Sequence, residues 1–373
     1  MNKLFSAKIE KLLTGIPLVE NLARKEFVSA FILSIIKIKN VQFSELAYGL
    51  NDSVKVESNE RRIQDFFENK SLDFNQVALL LCLFLPKGKV KLVLDRTEWD
   101  LGKCQVNILA VTAYCEGVGL PIYFELLDNK SGNSSTQDRS NLLKKCIALL
   151  GKQRIDCIIG DREFMGKDFY KFLFDNGLDF FVRIRKNQIL LVNGVELSVE
   201  RLLGERKKCL LDNVGVSGYF LSLAIQRTKD KNGNPDFLMV LTNTFAHKAL
   251  AIYRYRWSIE VFFQSIKGRG FNLEESHLRN IDKVKNLFAF VCIAFALCLS
   301  TGMEYHRKIQ KIPVKNHTYK AKSLFRKGLD VIRNILRNND SQSLCEFDNW
   351  VWKLIRLVRV KLARYQYFIK IIG

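Results

Sequence analysis

Closely spaced cysteine pairs are missing from this chain of 373 residues. Its nine cysteines are an odd number scattered along the sequence, so neither a structural zinc site nor a disulfide framework is expected. They read as buried apolar side chains in a reducing compartment. Four dispersed histidines offer no partners for a nucleophile triad, and no glycine-rich loop follows a strand to cradle phosphates. Long apolar runs are also lacking. The most apolar stretch, Leu287 to Leu299, has thirteen residues, whereas a bilayer-spanning helix needs about 20, so it reads as a buried core helix. The opening Met-Asn-Lys-Leu-Phe meets Lys8, Glu10 and Lys11 too soon for a signal peptide. A cytoplasmic protein without a membrane partner is expected. Internal repeats and low-complexity segments are absent.

Acidic residues are few beside the basic ones: 38 against 59, a formal charge of +21. Such a surplus favours polyanions. From Thr301 to Gly373 there are 16 Lys and Arg against 5 Asp and Glu, so roughly half of the excess lies in the last fifth of the chain. A basic tail rich in Tyr, Phe and Trp suits contact with a DNA backbone.

The length exceeds what one hydrophobic core usually serves. Residues 1–88 read as a helical, DNA-binding domain, with helices over Val19–Ile38, Ser44–Leu50 and Ser58–Phe67. The last two form a helix-turn-helix-like pair in which Ser58 is the N-cap and Ile63, Phe66 and Phe67 face inward. Arg61, Arg62 and Gln64 then face outward, either to read DNA or as the solvated side of a plain bundle.

From Lys89 the pattern changes to strands over Val90–Asp95, Val106–Cys115 and Leu120–Leu127, an antiparallel meander around a Glu-Gly-Val-Gly turn. Helix Thr136–Leu150, strand Ile155–Ile159, helix Lys167–Asp175 and strand Phe180–Arg185 follow. Three antiparallel strands and then helix, strand, helix, strand is the order of the ribonuclease H-like fold, which serves many functions. The fold class is therefore α/β, with a ribonuclease H-like core over 89–186 and 246–302. An all-β insertion at 187–245 carries hairpin turns at Asn193-Gly194 and Lys231-Asn232-Gly233-Asn234. A basic helical domain, 303–373, closes the chain.

Tyr253, Arg256, Glu260 and Lys267 lie at helical spacing. At about 100° per residue they fall within an arc of roughly 60° on a helix expected to run unbroken from Ala246 to Lys267. A carboxylate flanked by two cations and a phenol suits a metal-dependent phosphodiester reaction, although a charged stripe is also the ordinary outer face of a surface helix. Asp95 and Asp161 each end a strand that should be neighbours in a ribonuclease H-like sheet. With Glu260 they make three hard oxygen ligands, enough for two Mg²⁺ ions about 3.5–4 Å apart. Glu98, Asp100, Asp156 and Glu163 are nearby decoys. Arg96 and Arg162 follow their Asp residues and either hold phosphate or balance the carboxylates, while Trp99 and Trp257 are expected in the core.

The segments Leu94-Asp95-Arg96-Thr97-Glu98-Trp99, Gly132-Asn133-Ser134-Ser135-Thr136-Gln137-Asp138-Arg139, Gly160-Asp161-Arg162-Glu163-Phe164 and Tyr253 to Lys267 together resemble one family. It comprises the Asp-Asp-Glu insertion-sequence transposases with the Tyr-Arg-Glu-Lys signature, the group called insertion sequence four. The resemblance spans about residues 89 to 300. It implies a cut-and-paste DNA transposase in which Asp95, Asp161 and Glu260 bind two Mg²⁺ ions, with Mn²⁺ able to substitute. It also implies that Tyr253, Arg256 and Lys267, beside Arg162, hold phosphates near the scissile bond. The implied course is hydrolysis at the element end, a hairpin intermediate and strand transfer to target DNA, by a homodimer synapsing two terminal inverted repeats. Relatives aid the hairpin step with a Trp in the β insertion that stacks on a flipped base. No Trp occurs between Trp99 and Trp257 here, leaving Tyr219, Phe220 and Phe237 as faces that could stack for about 1–3 kcal/mol. Two other functions fit the same residues: a structure-selective DNA nuclease on this fold, and a catalytically silent repressor of the element.

Overall fold

In a computed structural model the described residues are 21–356 except 70, 102–103, 128–131, 231, 269, 317–319, 338–344 and 346–348, together with 7, 9–11, 13, 16–19, 360 and 362. Asn21 accepts a hydrogen bond from Arg24 N at 3.0 Å and so opens α1 (Leu22–Ile38). Helices α2 (Phe43–Leu50), α3 (Val56–Asn69) and α4 (Phe74–Leu83) follow, the last capped by Asp73. Ser58 is not the N-cap expected of it. The helix starts two residues earlier, and Lys55 O accepts from the N–H groups of Ser58 and Asn59. Buried Asn59 donates to Ala47 O at 3.0 Å and Asn51 O at 2.9 Å, which ties α3 to the end of α2. Ile63, Phe66 and Phe67 are buried, with Arg61, Arg62 and Gln64 exposed, as their spacing predicts.

Strands β1 (Val90–Leu101), β2 (Cys104–Cys115) and β3 (Val118–Leu127) form the expected meander. Its β2–β3 turn has positive φ at both Glu116 (50°) and Gly117 (93°), the backbone of a tight hairpin. Strand β1 does not stop at Asp95, because Arg96 to Leu101 remain paired with β2. Ser135 and Asp138 cap each other to start α5 (Thr136–Leu150). Then come β4 (Ile155–Gly160), α6 (Lys167–Asp175) and β5 (Phe180–Arg183), with β4 pairing parallel to β1 on one side and β5 on the other.

The segment 187–245 contains β6 (Leu190–Val192), β7 (Val195–Leu197), β8 (Lys208–Val216), β9 (Tyr219–Lys229) and β10 (Pro235–Thr242). It is not all-β: Ser198 caps a short helix, α7 (Val199–Leu203). These strands extend the same sheet, because β10 pairs antiparallel with β5. The full order is β3-β2-β1-β4-β5-β10-β9-β8-β6-β7.

The helix expected from Ala246 to Lys267 is broken. Helix α8 (Ala246–Tyr253) tightens into a 3₁₀ turn over Arg254–Arg256 before α9 (Trp257–Ile266), and Lys267 leaves the helix in an extended conformation. Asn280 caps α10 (Ile281–Lys308), which outruns its thirteen apolar residues at both ends. By length and composition α10 could cross a membrane, yet 94% of its most apolar window is buried inside the protein. Its aromatic residues reach every layer. Phe290 meets Phe31 of α1 (4.7 Å between ring centroids), Phe288 meets Phe124 of β3 (4.5 Å) and Phe295 meets Phe262 of α9 (5.0 Å). Phe295 also stacks on Phe325 of α11 (Leu324–Arg337) at 4.8 Å. Buried side chains from Ile9 to Leu362 accordingly form one contiguous cluster.

Candidate active site

Parallel pairing between β1 and β4 ends at Leu94 opposite Gly160, so Asp95 and Asp161 are the next residue on each of two adjacent strands. Strands in a sheet lie about 4.8 Å apart. Gly160 lets the turn close, since a Cβ there would sit 2.9 Å from Phe164 Cβ, and Phe164 N donates to Asp161 O at 2.9 Å. Asp95 thus lies at the end of the parallel ladder although β1 itself continues.

The 3₁₀ turn aims Tyr253 and Arg256 at these carboxylates. Tyr253 is buried, and its hydroxyl donates to Asp161 Oδ1 at 3.1 Å. Arg256 bridges two elements, with Nη1 donating to Asp95 Oδ2 at 3.0 Å and Nη2 to Glu260 Oε1. Glu260 is held in reach because Ile259, Phe262 and Ile266 bury the other side of α9. Burial pushes the Asp95 carboxyl up to about 7; Arg256 and the Arg96 backbone N–H oppose this, and Asp161 and Glu260 add to it. Burial alone would lower the Arg256 guanidinium, but Tyr253, Asp95, Asp161 and Glu260 outweigh it and raise it. The Tyr253 phenol is also raised, first by burial and then by the Asp161 charge. Both groups stay protonated near neutral pH.

Lys267 makes other contacts: its ammonium is 3.2 Å from Glu274 Oε1 and 5.3 Å from the centroid of the buried Trp99 ring. Arg162 is exposed on the Asp161 turn. Arg96 balances carboxylates, pairing with Glu163 at 3.0 Å and with Glu98. Asp156, at the other end of β4, pairs with Lys91 at 2.6 Å. Trp257 was expected in the core, but it begins α9 on the open side and is 57% exposed. Of the three aromatics singled out in the insertion for stacking, Tyr219 stacks on Phe174 at 5.1 Å and Phe237 lies under Arg227, whereas Phe220 is 67% exposed at the β8–β9 turn. On α3, Arg62 lies 5.7 Å over the Phe27 ring and Gln64 donates to Glu60 at 3.3 Å. Sequence spacing did not reveal that Ser134 and Arg139 join Glu163 and Arg96 beside the site, although both stand in the quoted 132–139 segment.

As the side chains stand, no three described His, Cys, Asp or Glu residues form a group that could hold a metal ion. Arg256 is the cation between Asp95 and Glu260. The donor chemistry fits a divalent ion: hard carboxylate oxygens, electrostatically coupled, with their negative charge only partly offset.

A family model described as "Transposase DDE domain" matches residues 86–297. Among solved structures, the chain is similar to a piggyBac transposase synaptic complex with hairpin DNA, determined by cryo-EM. Identity is 13% and the TM-score 0.40, over 98% of this chain and 76% of that one. A search of curated proteins finds no match. The family match covers more than half of the chain and both strands, the turn and the helix described above, and the chain belongs to the DDE transposase family.

Proposed function

We propose that this DNA transposase works by cut-and-paste transposition of an insertion sequence of the Tyr-Arg-Glu-Lys (insertion sequence four) group. In this reading a ribonuclease H-like core, 89–186 and 246–302, carries the chemistry and segment 187–245 is its insertion. The helical parts 1–88 and 303–373 flank it and bind the terminal inverted repeats. The observation that carries the proposal is the meeting of Asp95 and Asp161 at the end of one parallel ladder, with Arg256 joining Asp95 to Glu260.

Asp95, Asp161 and Glu260 would hold divalent ions, which transposases of this family generally use. Two Mg²⁺ ions, or Mn²⁺, would supply activation of the attacking oxygen and stabilisation of the leaving oxygen. The residues of the chain do the rest. Tyr253 orients Asp161 through its hydroxyl. Arg256 exchanges its carboxylate partners for phosphate oxygens, to which a guanidinium can bond bidentately. Lys267 and Arg162 add charge toward the backbone near the scissile bond. In this reading water cleaves one strand and frees a 3′-hydroxyl at the element end. That hydroxyl attacks the opposite strand's phosphodiester, closing a hairpin and releasing the flanking strand with its own 3′-hydroxyl. Water reopens the hairpin, and the regenerated 3′-hydroxyl attacks a target phosphodiester, displacing a target 3′-hydroxyl. Of Tyr219, Phe220 and Phe237, the exposed Phe220 is the one open to a flipped base. A homodimer synapses two ends.

The test uses duplexes bearing the inverted repeats that flank the gene. Asp95→Asn, Asp161→Asn and Glu260→Gln should each lose nicking in Mg²⁺ and Mn²⁺ while still retarding the duplex in a gel. Full activity in any one removes that carboxylate from the site. Nicking without joining would make the protein a nuclease, and binding without nicking by the unmodified chain would make it a repressor.

A further inference from the structure

Asp161 has no ladder partner: parallel pairing with β1 stops at Gly160, and the chain turns at once toward α6. Something else must fix that turn against β1. Glu163, two residues on, reaches in both directions. Its Oε2 accepts from Arg96 Nε at 3.0 Å, and Arg96 directly follows Asp95. Its Oε1 accepts from Ser134 Oγ at 2.8 Å. The same hydroxyl accepts from Arg139 Nε at 2.8 Å, so its donor and acceptor sides are both used. Arg139, 4% exposed, also donates to Ser134 O and lies 5.3 Å over the Phe164 ring, the end of the Asp161 turn.

The bridge extends into the sheet. Arg96 Nη1 donates to Glu98 and to Asn107 Oδ1 at 3.1 Å; Asn107, buried on β2, donates to Gly132 O at 3.2 Å. Two guanidinium groups meet two carboxylates, so the group has no surplus charge for a phosphate. Both Glu163 oxygens are taken, so it is not an ion ligand in waiting. A buried polar group of this kind costs desolvation that apolar packing would avoid; what it supplies is directional geometry next to a reacting centre.

We propose that Glu163, Ser134 and Arg139 are positioning residues that, through Arg96, set the spacing of Asp95 and Asp161. This rests on the reading of those two carboxylates as ion ligands. Outer partners of ligand residues typically carry a 10- to 100-fold effect on metal affinity.

The experiment is Mn²⁺ binding to the full-length protein by calorimetry, beside thermal melting and the Mn²⁺ dependence of nicking. Glu163→Gln and Ser134→Ala should weaken Mn²⁺ binding by about 10- to 100-fold and raise the Mn²⁺ needed for half-maximal nicking. DNA retention should be unchanged, and Ser134→Thr, which keeps the hydroxyl, should restore binding. If Ser134→Ala fails to fold, the nearly isosteric Glu163→Gln decides alone. Lowered melting with unchanged Mn²⁺ affinity overturns the proposal and leaves the bridge purely structural. Mn²⁺ binding that is absent from the unmodified chain, or that survives Asp95→Asn, overturns the carboxylate reading and with it this role.

Discussion

Arg256 carries much of the electrostatic balance at the site, since one guanidinium faces two carboxylates from different elements. Asp95 nevertheless keeps its proton up to about 7. An unfolded Asp releases it near pH 4. Between those limits the folded state binds a proton that the unfolded state lacks, so stability falls as pH rises through the window and is flat above it. In EDTA, melting temperature should therefore decline from about pH 4 to about pH 7 more steeply in the unmodified protein than in Asp95→Asn. Equal slopes would show that Asp95 is not the titrating group. The grouping of Tyr253, Arg256 and Glu260 was legible because their spacing is local, whereas Lys267, expected on the same helix face, leaves the helix and pairs with Glu274. The partners of Glu163 were not, because Arg96 comes from one segment and Ser134 with Arg139 from another, both distant from Glu163 in the chain, and only the fold joins them.

At the scale of elements, alternation and turn residues located β2, β3, β4 and β5 to within about two residues and the turns of two hairpins in the insertion, since a side-chain period of two and paired positive-φ residues are written locally, whereas β1 runs six residues past its expected end. The break between α8 and α9 was not legible. Its residues favour a helix, and the tightening places Tyr253 and Arg256 against carboxylates supplied by β4 and β1. The crossing of α10 and α11 is another tertiary feature. A Cβ on Gly302 would lie 1.8 Å from Leu324 O, and one on Gly328 would lie 1.8 Å from Cys298 O. Backbone here meets backbone, so nothing flexible can yield. Gly302→Ala and Gly328→Ala should each cost about 2 kcal/mol or more in chemical denaturation. A neutral result would mean that the two helices stand further apart.

At the scale of the molecule, the charge surplus indicated a polyanion partner, whereas composition gave no sign that the expected segments share a core. Phe31 of α1 and Phe325 of α11 both pack on α10, beside the aromatic residues that support β3 and α9. A fragment covering 89–302 should therefore aggregate or melt without a cooperative transition, because it uncovers both flanks of α10. A sharp transition in that fragment would mark an independent unit. The continuous sheet has a mechanical corollary as well. From β4, which delivers Asp161, to β9, which begins at the Phe220 hairpin, the path crosses β5 and β10 through hydrogen-bonded neighbours. Three strand steps amount to roughly 15 Å across the sheet, and the register Gly160/Val182/Leu241/Leu223 leaves Phe220 three residues back along β9, toward the opposite end of the strands from Asp161. Hydrogen-bonded strands, and no loop, hold that hairpin away from Asp161, so lengthening a loop will not reset their separation.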